Sequence, residues 1–195
     1  MSEKLSEVTI TRAIIETFTE NLLADLELDV AICGGGPAGL VAAYKLARAG
    51  RKVALFERTL SVGGGMWGGG IGYNIIVVQE HSLPLLGELG VIYEEYSEGY
   101  YTASAIQTVG ALLTNAISAG ASIYNLTTVE DVMVEDGRIR GVVINRTPIE
   151  MAGLHVDPVS IAAKFVIEAT GHPLEVLQKV QDKCDIELAP PTGKI

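Results

Sequence analysis

The run Asp29-Val-Ala-Ile-Cys-Gly-Gly-Gly-Pro-Ala-Gly-Leu40 narrows the folds open to this chain more than any other stretch. Val30, Ala31, Ile32 and Cys33 are apolar and lead directly into Gly34-x-Gly36-x-x-Gly39, where a helical pattern opens. Strand, tight glycine turn and helix start is the order that a dinucleotide requires. Gly34 permits the sharp turn, Gly36 lets the backbone approach a pyrophosphate, and Gly39 lets the helix pack closely on the strand. The phosphates then sit on unpaired N–H groups at the positive end of the helix. The same glycines also occur as an empty turn in ordinary α/β units. Here Lys52-Val-Ala-Leu-Phe-Glu57 supplies a second buried strand that ends on an acid. Glu57 stands roughly twenty residues after the turn, where a carboxylate accepts hydrogen bonds from ribose hydroxyls.

With 195 residues the chain has enough length for one dinucleotide-binding domain with a sizeable core. We take 1–195 as a single unit, with an N-terminal helix in 1–28, a β-α-β unit over 29–57 and a β-hairpin insertion over 129–147. The formal charge of −10 argues against nucleic acid and against an anionic membrane surface. No apolar run reaches the roughly twenty residues of a membrane span, and no signal peptide is evident. Two cysteines make no disulfide framework, which points to a reducing, cytoplasmic setting. Cys33 reads as a small buried hydrophobe and Cys184 as surface or semi-buried.

Ile10, Ile14, Ile15, Phe18, Leu22 and Leu23 give residues 9–25 helical spacing with one apolar face, suited to packing outside the nucleotide unit or against another subunit. The first β-α-β helix turns Leu40, Ala43, Tyr44 and Ala47 inward and ends near Gly50. Ser61–Gly70 follows, with six glycines around the single Trp67. No regular element is expected there. The run is either a flexible linker or a loop wrapped over a cofactor, and Met66 and Trp67 favour the loop. A short helix fits Leu83–Leu89, and Val91–Tyr101 is rich in Tyr and Glu. Residues 102–119 are helical by spacing, and Ala121–Asn125 reads as the third strand of the nucleotide fold. Val129–Val134 and Arg138–Arg146 alternate around Asp136-Gly137, a strong hairpin signal. Phe165-Val-Ile-Glu-Ala-Thr-Gly171 is a further buried strand ending on glycine.

Two segments carry candidate chemistry, Met151-Ala-Gly-Leu-His-Val-Asp-Pro158 and Ala169-Thr-Gly-His-Pro173. His155 and Asp157 share a face if their segment is extended. His172 closes a strand, at the end where α/β folds place ligands. One carboxylate with one or two imidazoles makes an incomplete site for a divalent ion such as Fe(II), with positions left open for substrate. The plainer alternative is a surface or capping histidine beside an Asp-Pro turn. No Gly-x-Ser-x-Gly, Cys-x-x-Cys or His-Glu-x-x-His is present, so none of those chemistries is suggested.

Cys33–Gly39, the Glu57-Arg58 pair, the Gly63–Gly70 loop with Met66-Trp67, and Met151–Asp157 followed by Ala169–His172 together resemble thiamine thiazole synthase. The nearer match is its sulfide-dependent, mostly archaeal branch, and the resemblance covers roughly residues 1–185. It implies a Rossmann-like α/β fold of the glutathione-reductase, FAD/NAD(P) type in which NAD is a substrate. By that resemblance, NAD loses nicotinamide, the opened ADP-ribose condenses with glycine, sulfide is added, and ring closure yields an adenylated thiazole carboxylate. The family's ligand contacts fall on Ala38, Glu57, Arg58, Gly65, Val129 and the His155–Asp157 segment, and join Gly34, Gly36 and Gly39 of the glycine turn as the expected ligand set. Its Fe(II) donors fall on Asp157 and His172, contributed by neighbouring subunits of a homo-oligomer, commonly an octamer with shared active sites. His155, Asp157 and His172 are thereby the implied catalytic set. Where one branch carries a sulfur-donating cysteine, this sequence has His155, so the resemblance implies that sulfur comes from free sulfide. The family continues beyond the Ala169–His172 strand with an arginine that grips the glycine carboxylate and a last Gly-rich segment. This sequence reaches Pro190-Pro-Thr-Gly-Lys-Ile195 with neither, which implies a chain short of the family's C-terminal portion.

Two other functions use the same glycine turn and Glu57. One is a flavin-dependent oxidoreductase, which a yellow protein would betray. The other is a non-catalytic NAD-binding module.

Overall fold

The computed structural model describes residues 5–184, so the Pro190–Ile195 tail lies outside them. A six-stranded sheet forms the centre. In chain order its members are β1 (Glu27–Cys33), β2 (Val53–Phe56), β6 (Ser122–Tyr124), β7 (Thr127–Glu135), β8 (Arg138–Arg146) and β9 (Val159–Glu168). In space they run β6-β2-β1-β9-β8-β7. β1 lies between β2 and β9, parallel to both, and β6 extends the parallel set beside β2. Ala31, Ile32 and Cys33 are fully buried because both faces of β1 are covered. That explains why it reads as an unbroken apolar run rather than an alternating one.

The expected β-α-β unit forms with α2 (Pro37–Arg48) as its helix. Leu40, Ala43, Tyr44 and Ala47 are its buried face, as their spacing required, and Gly50 has φ +73° just past the helix end. α2 packs beside α4 (Ala105–Ser118) on one face of the sheet. α4 starts three residues later than its spacing suggested, because Tyr100–Ser104 is a strand and Ser104 caps the helix by accepting the Gln107 N–H. Residues 75–104 hold a second, antiparallel sheet in the order β3-β5-β4, formed by β3 (Ile75–Val78), β4 (Tyr93–Ser97) and β5 (Tyr100–Ser104). Helix α3 (Leu83–Glu88) lies between β3 and β4 in sequence.

The hairpin turns through Asp136 and Gly137, both at positive φ, as a two-residue connection requires. It does not stand apart as an insertion. β8 pairs antiparallel with the first residues of β9, so the hairpin extends the central sheet.

The N-terminal helix, α1 (Glu7–Ala24), buries no residue completely. Its C-terminal half is the anchored part. Phe18 meets Tyr124 edge-on, Tyr124 stacks on Phe56, and the Tyr124 hydroxyl donates to buried Asp25 at 2.8 Å. Val8, Ile14 and Ile15 remain exposed. Among the described residues no helix is long and apolar enough to cross a membrane.

Candidate functional site

The parallel strands end together, and their C-terminal ends surround a cavity of about 200 Å³. Cys33 and Gly34 come from β1 and its turn, Phe56 to Thr59 from the end of β2, and Ala169 and Thr170 from the end of β9. Gly64 closes one side, Thr127 to Val129 another, and Glu175 a third. Ligands of open α/β sheets lie at this end because the loops diverge there.

The glycine turn is held by close backbone contact. At Gly34, with φ +106°, a Cβ would stand 2.3 Å from the Ala169 carbonyl oxygen. At Gly39 it would stand 2.0 Å from the Gly34 carbonyl oxygen. Gly36 differs, since a Cβ there meets nothing within 4 Å. The space over Gly36 is open, and helix α2 begins at that residue without a side-chain cap. Helical bonding starts with Leu40 N–H donating to the Gly36 carbonyl, so the N–H groups of Ala38 and Gly39 are left for an external acceptor.

Glu57 is buried and serves the turn first. Its Oε2 accepts the Gly35 N–H at 2.7 Å, and its Oε1 accepts the Thr59 N–H at 2.7 Å and the Thr59 hydroxyl at 2.8 Å. A carboxylate offers about four lone-pair directions, so these three bonds leave one on Oε2 unused. Arg58 lies at the rim, where its Nη1 donates to Glu175 Oε1 at 2.8 Å. Behind the cavity the Cys33 thiol is pushed up to about 12, by burial first and by the nearby Glu168 carboxylate second. A thiol held neutral in this way is a poor nucleophile.

The Ser61–Gly70 run is not the irregular loop that its glycine content suggested. Gly64–Gly68 forms a turn of 3-10 helix. Gly63 N–H donates to the Gly35 carbonyl at 2.8 Å, Trp67 Nε1 donates to the Val62 carbonyl at 3.0 Å, and Met66 packs against the core. These contacts pin the run against the glycine turn, which excludes a free linker.

The cavity brings together Gly34, Glu57, Arg58 and Val129 from the expected set. Gly36, Ala38 and Gly39 belong to the same turn but do not line it, and Gly64 lines it in place of Gly65. His155 and Asp157 lie on an exposed irregular segment between α5 (Thr147–Met151) and β9. His172 is exposed in the turn between β9 and α6 (Glu175–Cys184). Among the described residues no group of three or more His, Cys, Asp and Glu side chains could hold a metal ion.

Two groups here carried no motif. Thr128 is buried at the cavity wall, bonded to Thr147 at 2.9 Å and donating to Glu150 Oε2 at 2.7 Å. Glu168, the last residue of β9, accepts the N–H groups of Thr170 at 2.6 Å, Val176 at 2.7 Å and Leu177 at 3.0 Å. A lone acid inside an apolar strand was the only sequence signal for Glu168.

A Thi4 family model matches residues 11–190. The chain belongs to the Thi4 family. A thiamine thiazole synthase of Desulfosudis oleivorans is 56% identical over 98% of this chain and 74% of that protein. The thiamine thiazole synthase of Pyrococcus horikoshii is 53% identical over 89% of this chain and 69% of its own length. The crystal structure of Thermovibrio ammonificans THI4 superposes with a TM-score of 0.92 at 49% identity, covering 96% of this Thi4 chain and 74% of that one. A geranylgeranyl bacteriochlorophyll reductase-like protein of Thermoplasma acidophilum, at 21% identity and a TM-score of 0.62, shares the fold. The Rossmann-like α/β class expected for this Thi4 chain is therefore the one found.

Proposed function

We propose that this Thi4 chain is a thiamine thiazole synthase that consumes NAD, glycine and sulfide, with Fe(II), to make an adenylated thiazole carboxylate. The observation that carries the reading is the cavity at the ends of β1, β2 and β9, where Gly34, Glu57, Arg58 and Val129 meet. The open space over Gly36 and the uncapped start of α2 suit a pyrophosphate. The free lone pair of Glu57 suits a ribose hydroxyl, and Arg58 is in reach of the same rim.

The donor chemistry of Asp157 and His172 fits a ferrous ion, since carboxylate and imidazole oxygen and nitrogen donors suit Fe(II). Both are exposed, and the described residues of one chain gather no group of three. We therefore assign completion of the ion site to a neighbouring copy in a homo-oligomer. When bound, Fe(II) supplies a Lewis-acidic meeting point for sulfide and the glycine-derived substrate. His155 carries no sulfur, so it orients the intermediate or relays a proton, and sulfur comes from solution.

Anaerobic incubation of the purified chain with Fe(II), NAD, glycine and sulfide should give the adenylated thiazole by mass spectrometry, over several turnovers. Omitting sulfide should abolish product. Product formed without sulfide would overturn the assignment of the sulfur source, and no product under any of these conditions would overturn the reading. Asp157→Ala and His172→Ala should each remove iron binding in equilibrium dialysis.

A further inference from the structure

The turn that carries His172 is tethered at both ends. Ala169 N–H donates to the Cys33 carbonyl at 2.8 Å, and Glu175 N–H donates to the Thr170 hydroxyl at 3.0 Å. The Glu168 carboxylate joins those ends. Oε1 takes Thr170, the first part of the turn, while Oε2 takes Val176 and Leu177, the first turn of α6. N–H groups in the first turn of a helix have no partner inside it, so this carboxylate is what satisfies them, and it also lies at the positive end of the helix. The neighbouring residue on α6 is Glu175, which holds Arg58 at the cavity rim.

We propose that Glu168 is a positioning residue that sets both His172 and the Glu175–Arg58 pair from one carboxylate. The proposal rests on reading His172 as an ion donor and Arg58 as a ligand contact. Glu168 itself touches no substrate. It fixes where the turn points and where α6 begins, so loss of its three bonds frees the imidazole and the guanidinium together. Groups that orient metal ligands in this way typically change metal affinity 10- to 100-fold when removed.

The test uses the full chain with Glu168→Ala and Glu168→Gln. In wild type without ligand, hydrogen exchange of the Thr170, Val176 and Leu177 amides should be slow, and at least tenfold faster in Glu168→Ala. Anaerobic Fe(II) titration should show affinity at least tenfold weaker in Glu168→Ala. Glu168→Gln should fall between, because an amide keeps one acceptor oxygen and turns its NH2 towards the other donors. Val180→Ala loosens the packing of α6 without touching the turn. It should lower Tm yet leave Fe(II) affinity unchanged, which separates positioning from mere stability. A folded Glu168→Ala with Fe(II) affinity within twofold of wild type would overturn the proposal. So would unchanged exchange at the three amides. Should wild type bind no Fe(II) at all, the ion reading fails, and loss of amide protection in Glu168→Ala alone then decides for or against the role of Glu168.

Discussion

Gly34 and Gly36 stand two residues apart in one turn, yet the structure assigns them different consequences. In Gly34→Ala the new methyl points into the Ala169 carbonyl, with its oxygen at 2.3 Å and its carbon at 2.6 Å, and the residue must keep φ at +106°. The backbone conformation costs about 1–3 kcal/mol. The overlap is with backbone of a neighbouring strand end, so it cannot be relieved by a rotamer, and overpacking of this kind adds about 1–3 kcal/mol. Together they come to roughly 4 kcal/mol, or about 8–16 °C in Tm for a domain of this size. Gly36→Ala meets nothing within 4 Å at φ −70° and should cost about 1 kcal/mol, the ordinary difference between Gly and Ala at a helix N-cap. Its methyl instead fills the open space over Gly36, where the proposed function places the pyrophosphate. Thermal and urea unfolding followed by circular dichroism measure the first effect, and NAD titration calorimetry the second. NAD affinity should fall at least tenfold in Gly36→Ala. A Gly34→Ala protein within about 1 kcal/mol of wild type would refute the packing argument, and wild-type NAD affinity in Gly36→Ala would refute the placement of the phosphates.

Three further predictions follow from side chains around the cavity. The Cys33 thiol, raised to about 12 from an ordinary 9.0, is protonated in the folded chain at pH values where the unfolded chain has lost that proton. Stability therefore holds below about pH 9 and is lost as pH rises towards 12, at up to ~1.4 kcal/mol per pH unit; alkaline urea titrations of wild type and Cys33→Ala should differ in that slope. Tyr124→Phe leaves buried Asp25 without its hydroxyl donor and should cost about 1–3 kcal/mol by urea unfolding, with α1 losing amide protection first. Trp67 is the single tryptophan, and its turn is bonded to the glycine turn, so NAD should change the intrinsic fluorescence of wild type but not of Gly36→Ala.

The strand-turn-helix core was legible because each of its residues answers to one local demand. β1 is apolar along its whole length, Gly34 and Gly39 sit where a Cβ has no room, and the inward face of α2 repeats at helical spacing. The Asp136-Gly137 turn was legible for the same reason. The Ser61–Gly70 run was not, because its order comes from contacts distant in sequence, above all Gly63 with Gly35. The sheet over residues 75–104 was obscured by mixed exposure; every residue of β4 is exposed, so no alternation marks it. At the site, the glycine turn and Glu57 were expected from spacing, whereas His155, Asp157 and His172, expected from spacing and resemblance, lie on exposed segments outside the cavity. Glu168 and Thr128 did not appear, since their roles lie in bonds to backbone and side chains that no motif records.

The parallel pairing of β1 with β9 has a consequence for how the chain is made. Val30 lies opposite Phe165, and the carbonyl that confines Gly34 belongs to Ala169, more than a hundred residues downstream. Such non-local contacts close slowly. On a ribosome that releases the N-terminus first, β1, α2 and β2 can assemble early, but one edge of β1 stays unpaired until β9 emerges. The glycine turn is thus made more than a hundred residues before the strand that gives it its shape. Nascent chains arrested before residue 159 should expose that edge to chaperones, and those extended past residue 184 should not.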